Sequence, residues 1–141
     1  MKKVVILMLV LVPMFAAAQK QEDSQVLIDK FFDAYKNFGP NEAMTYALHT
    51  NTWLERDLND GTSPFRKIGK VASHLGNYMG VEEISSKMIG TQTRIASYMI
   101  YYEKQPMMIS FELYKNRGNW EFVDVQFVKK THKVILASNR F

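Results

Sequence analysis

Residues 93–104 read TRIASYMIYYEK, and their polarity alternates. Arg94, Ala96, Tyr98, Ile100 and Tyr102 fall on one face, and Ile95, Ser97, Met99, Tyr101 and Glu103 on the other. Side chains of an extended chain point alternately to opposite faces, so this period of two predicts a strand with one buried side. Downstream, Gln105-Pro106 turns the chain, and Met107 to Lys115 alternates again, with Met107, Ile109, Phe111 and Leu113 against Met108, Ser110, Glu112 and Tyr114. Asn116-Arg117-Gly118-Asn119 has the composition of a hairpin loop, with glycine free to take a positive φ. Trp120 to Val128 supplies a further strand, and upstream Val81 to Ile89 supplies the first, broken from its neighbour at Gly90. Connections this short exclude parallel crossovers, which need a dozen or more residues, so the four strands form an antiparallel meander.

Before Gly80 the period is that of a helix. Ser24 reads as an N-cap, followed by Leu27, Phe31, Ala34, Tyr35 and Phe38 at helical spacing. Gly39-Pro40 stops that helix and opens a second, Asn41 to about His49, with Met44, Ala47 and Leu48 on one face. Thr50 to Leu54 links to a short helical segment ending near Asn59, and Asn59-Asp60-Gly61 is a turn signal. A third long helix is expected from Pro64 to Tyr78, burying Phe65, Ile68, Val71, Ala72 and Leu75. The fold class is therefore α+β: N-terminal helices packed on one face of a curved antiparallel four-stranded sheet.

The N-terminus carries a different signal. Lys2 and Lys3 precede an uncharged run from Val4 to Phe15 that closes on Ala16-Ala17-Ala18, the order of a secretory signal peptide over residues 1–18. The run falls short of the roughly 20 apolar residues a bilayer span needs, and no transmembrane segment is expected after cleavage. The domain then covers residues 19–128, followed by a tail at 129–141, in a periplasmic or secreted location. Of the 18 basic residues, 16 survive loss of Lys2 and Lys3, against 14 acidic ones. Lys129, Lys130, Lys133 and Arg140 lie in the tail, so the domain itself is slightly acidic and lacks the basic face of a nucleic-acid binder. The chain contains no cysteine, which excludes disulfides, a thiol nucleophile, a thiolate metal site and a lipid anchor on cysteine.

The order of elements, with Phe31-Phe32-Asp33-Ala34-Tyr35 on the first helix and Gly39-Pro40-Asn41-Glu42-Ala43 opening the second, resembles the nuclear transport factor 2-like superfamily. Tyr101-Tyr102-Glu103-Lys104 and Gly118-Asn119-Trp120-Glu121-Phe122 add to the likeness, which spans Ser24 to Val128. The resemblance implies a cone-shaped fold shared with ketosteroid isomerase and polyketide-cyclase-like proteins, in which a bent sheet wraps the first helix and leaves a pocket at the wide end. It also implies homodimers through the sheet face, where Met108, Tyr101 and Tyr114 would lie. Members include enzymes and binding proteins, so fold alone assigns no function.

The residues suited to line such a pocket are Tyr35, Trp53, Tyr78, Tyr98, Tyr102 and Trp120, with Asp124 as its carboxylate. The same aromatics also suit a core. Isomerase-like chemistry needs a carboxylate base in an apolar pocket opposite a hydroxyl. Asp124 and Glu112 are the candidate bases, although both occupy polar positions of their strands, and no catalytic residue transfers from the superfamily by position. His49, His74 and His132 lack metal-ligand spacing, so neither a metal nor another cofactor is expected. Arg94 reads as a solvated strand end, or else as the holder of an acidic ligand. The expectation is a secreted, non-enzymatic domain binding a small apolar or aromatic ligand or a protein partner. The alternatives are an isomerase or dehydratase-like lyase using Asp124 or Glu112, and an envelope structural protein.

Overall fold

The computed structural model describes residues 15–57 and 64–128. The leader through Met14, the Asn59-Asp60-Gly61 turn and the Lys129–Phe141 tail lie outside the described residues. Four helices precede four strands: α1 (Phe15–Phe38), α2 (Pro40–His49), α3 (Thr52–Asp57), α4 (Pro64–Ser73), β1 (Tyr78–Ile89), β2 (Thr93–Tyr102), β3 (Met107–Asn116) and β4 (Asn119–Val128). The strands form one open antiparallel sheet in the order β1-β2-β3-β4, with the helices on one face, the α+β arrangement expected from the alternation. No helix among the described residues is long and apolar enough to cross a membrane.

Two helix boundaries differ from expectation. α1 begins at Phe15, so Ser24 lies inside the helix rather than at its cap. The Ala16–Asp23 stretch contains no helix breaker, and the Ser24 hydroxyl is used in the interior instead, as described below. α4 ends at Ser73, and Tyr78 belongs to β1. Gly76, at φ 87°, turns the chain out of the helix, and the exposed Glu103 carboxylate accepts from the Asn77 backbone N–H at 3.0 Å and from Asn77 Nδ2 at 3.1 Å. These contacts hold the Glu103 carboxyl below its usual pKa, through the backbone bond first. A Cβ at residue 76 would stand 2.7 Å from the same carboxylate, a second reason for glycine there.

Helix α1 lies against the inner face of the sheet. Phe31 packs edge-on to Phe111 at 4.9 Å, and Phe111 meets Phe122 at 5.3 Å, joining α1, β3 and β4. Ile28, Ala96, Ile100, Met107, Ile109, Leu113 and Val125 complete the layer, while Met44, Ala47, Ile68 and Leu75 extend it under α2 and α4. β4 is an edge strand whose outward backbone groups would invite further pairing. The α2–α3 link covers them at Phe122: Asn51 Nδ2 donates to the Phe122 carbonyl at 2.9 Å, and the Phe122 N–H donates to Thr50 Oγ1 at 3.1 Å.

Bulges interrupt the ladder where one strand carries an extra residue. On β1, Glu83 pairs with Tyr98 and Ser85 with Ser97, which leaves Ile84 over. On β4, Phe122 pairs with Leu113 and Asp124 with Glu112, which leaves Val123 over. Past Val123 the inner face is therefore continued by Val125, and Asp124 turns outward.

On the outer face Met99 and Met108 are register partners, and both are buried. Met108 is thus not the exposed contact residue expected, whereas Tyr101 and Tyr114 are exposed there. Phe111→Ala is expected to cost about 3–5 kcal/mol, because it empties the aromatic junction of α1 and the sheet. Asn51→Ala is expected to cost about 1–3 kcal/mol by stranding the Phe122 carbonyl. Urea unfolding of each variant measures both.

Candidate functional site

Arg94 stands on the inner face of β2 as the second residue of the strand, and its side chain is only 1 % exposed. It is the large charged side chain of the described interior. Burial of an unpaired ion costs several kcal/mol, so its surroundings must supply acceptors. Its Nε donates to Ser86 Oγ at 2.9 Å, Nη1 to Ser24 Oγ at 3.1 Å and Nη2 to Gln25 Oε1 at 2.7 Å. Among the described residues the nearest counter-charge is Glu83, whose Oε2 lies 3.6 Å from Nη2 and whose side chain is 44 % exposed.

Tyr98, two residues along the same face, completes the cluster. Its hydroxyl donates to Glu83 Oε2 at 2.7 Å and accepts from Gln25 Nε2 at 3.2 Å. Gln25 Nε2 also reaches Asp29 Oδ1 at 2.9 Å, one helical turn on. Burial pushes the Tyr98 phenol up to about 12, and the Glu83 carboxylate adds to that rise, while the Gln25 bond and Arg94 oppose it. The bulge at Ile84 builds this site, because it places both Glu83 and Ser86 toward Arg94 and Tyr98.

The remaining pocket candidates do not converge. Tyr35 and Tyr102 share a hydrogen bond between their hydroxyls in the core, with the Tyr78 ring 5.9 Å from Tyr35. Burial raises the pKa of all three, most strongly for Tyr35. Phe32, 5.0 Å from the Tyr98 ring and 6.5 Å from Tyr35, separates this tyrosine group from the Arg94 cluster. Trp120 is buried on the β4 edge of the sheet, with Lys115 Nζ 5.9 Å from its ring centre, and its Nε1 finds no hydrogen-bond partner among the described residues. Trp53 is 70 % exposed on α3 and lines no inner wall.

Asp124, expected in the pocket, stands on the outer face beside Glu112, because the Val123 bulge reverses the alternation before it. Gln126 Nε2 donates to its Oδ2 at 2.6 Å. Neither Asp124 nor Glu112 therefore meets the requirement of a base in an apolar pocket. Arg94 is not a solvated strand end. Its place at the head of the alternating inner set Arg94, Ala96, Tyr98, Ile100 and Tyr102 was the signal for burial. Glu83, Ser86, Ser24 and Gln25 had no such signal, since their approach depends on a bulge and on the length of α1. Among the described residues no group of three or more His, Asp or Glu side chains is placed to hold a metal ion. Compared with family models, curated proteins and solved structures, the chain matches none.

The buried phenols make stability fall in alkali. Tyr98 keeps its proton in the fold to about 12, against 10.0 for an ordinary tyrosine. Its contribution is complete below the unfolded value and is lost as pH rises through the folded one. Urea unfolding is expected to show stability dropping between about pH 10 and pH 12, and Tyr98→Phe to reduce that slope without abolishing it, because Tyr35 and Tyr102 act in the same direction.

Proposed function

We propose that this is a secreted, non-enzymatic domain of the nuclear transport factor 2-like kind, which binds a small molecule at the Arg94–Tyr98 end of the inner sheet face. The observation that carries the proposal is a guanidinium excluded from water and fixed by neutral groups from α1 and β1, while the one close carboxylate among the described residues is half in solvent. Protein interiors avoid such ions unless they are paired, and this pairing is incomplete. Polar groups converging beside an aromatic core are the usual make-up of a small-ligand site. Helices followed by an open curved sheet support the superfamily resemblance. The basic, apolar and small-residue order of residues 1–18 supports export to the periplasm or medium.

A second reading rests on Glu83 and Tyr98. A carboxylate within 2.7 Å of a phenol, beside Arg94, offers the base and hydroxyl of an isomerase or lyase without recourse to Asp124 or Glu112. Its requirement is that Glu83 remove a substrate proton. Deuterium uptake from D2O by a panel of unsaturated ketones is expected to be unaffected by the protein. Uptake that disappears in Glu83→Gln would establish the enzyme instead.

The homodimer is expected through the outer face around Tyr101 and Tyr114, and Tyr114→Lys then yields monomer in sedimentation velocity. Native mass spectrometry of the protein purified from its own envelope tests the main proposal. A retained small molecule, lost in Tyr98→Phe, is the expected result, and a ligand-free protein in every preparation counts against it.

A further inference from the structure

Resting on that ligand-binding reading, we infer that the ligand is a small organic carboxylate and that Glu83 occupies its place in the free protein. The inference starts from the difference between Arg94's partners. Ser24, Gln25 and Ser86 are neutral, sit at hydrogen-bond distance and come from packed elements, so they hold the guanidinium but leave its charge in place. Among the described residues Glu83 alone brings negative charge to it. At 3.6 Å its oxygen is beyond an ordinary charged hydrogen bond, and its side chain is half in solvent. A partly exposed ion pair of this kind contributes little, so water can replace the protein end of it at small cost.

A ligand carboxylate entering from the Glu83 side meets two donors already aimed at one point, the Tyr98 hydroxyl and Arg94 Nη2. One oxygen takes the Tyr98 bond that Glu83 gives up, and the other approaches the guanidinium. Glu83 turns into solvent, where its charge is hydrated. Val81 and Met88 continue the inner face of β1 on either side of Glu83 and Ser86, half-buried against the core, and offer apolar contact to a ring or short alkyl body. The other acidic group near the seat, Asp29, is exposed and held by Gln25, so it does not compete for Arg94.

Glu83 is then an internal competitor, and removing it raises apparent affinity by the factor with which it fills the seat. The test titrates benzoate, with benzamide as its neutral counterpart, into wild type, Glu83→Ala, Glu83→Gln and Tyr98→Phe by isothermal calorimetry. Circular dichroism melts confirm that each variant is folded. Benzoate is expected to bind both Glu83 variants about tenfold more tightly than wild type, to bind Tyr98→Phe more weakly, and to be preferred over benzamide throughout. Equal affinity for benzoate and benzamide, or no gain in either Glu83 variant, overturns the inference. If a neutral molecule is retained in native mass spectrometry alongside that result, ligand binding stands without the carboxylate. If nothing is retained and benzoate binds no variant, both fail.

Discussion

A guanidinium deprived of water must be surrounded by acceptors, and Arg94 imposes that demand at the α1–sheet interface. Two of its acceptors, Ser24 and Gln25, are on α1, and a third, Ser86, is on β1. The helix is thereby fixed in both rotation and translation near its N-terminal half. At the other end the Tyr35–Tyr102 hydroxyl pair fixes it again. Between the two polar ties lie Ile28, Phe31 and Phe32, whose burial contributes most of the attraction but is non-directional. Apolar packing thus supplies the stability of the α1–sheet layer, and the two polar ties select its register.

The bulges decide which residues take part. A strict alternation along β1 from Glu83 would bring Ser85 inward, yet Ser86 meets Arg94 because Ile84 is extra. On β4 the same device at Val123 moves Asp124 to the outer face and Val125 into the core. Two inserted residues, one on each edge strand, therefore assemble a polar site at one side of the sheet and remove a carboxylate from the interior at the other. The sheet edge at β4 is managed separately, by Thr50 and Asn51 satisfying both backbone groups of Phe122.

The charge distribution ties fold to function. Among the described groups around the Arg94 seat, the guanidinium is buried and held by three neutral side chains, and the Glu83 carboxylate is half in water. An arrangement built only for stability would do better with an apolar residue in place of the ion. Retaining the ion beside a half-exposed carboxylate is the arrangement that the proposed recognition of an external anion calls for.

Alternation along residues 93–128 and the helical period before Gly80 were enough to establish helices on a four-stranded meander, because periodicity is local and each strand follows its predecessor through a short turn. The same alternation placed Arg94 and Tyr98 on one inner face, and the helical period placed Phe31 and Tyr35 on one face of α1. Sequence alone could not find Glu83, Ser86, Ser24 and Gln25 as their partners, nor see that Trp53 is exposed. Those outcomes turn on where a strand takes an extra residue and how far a helix extends before it meets the sheet. Both are settled by contacts between elements distant in the chain, since an ion and its acceptors can be satisfied only once the tertiary structure has brought them together.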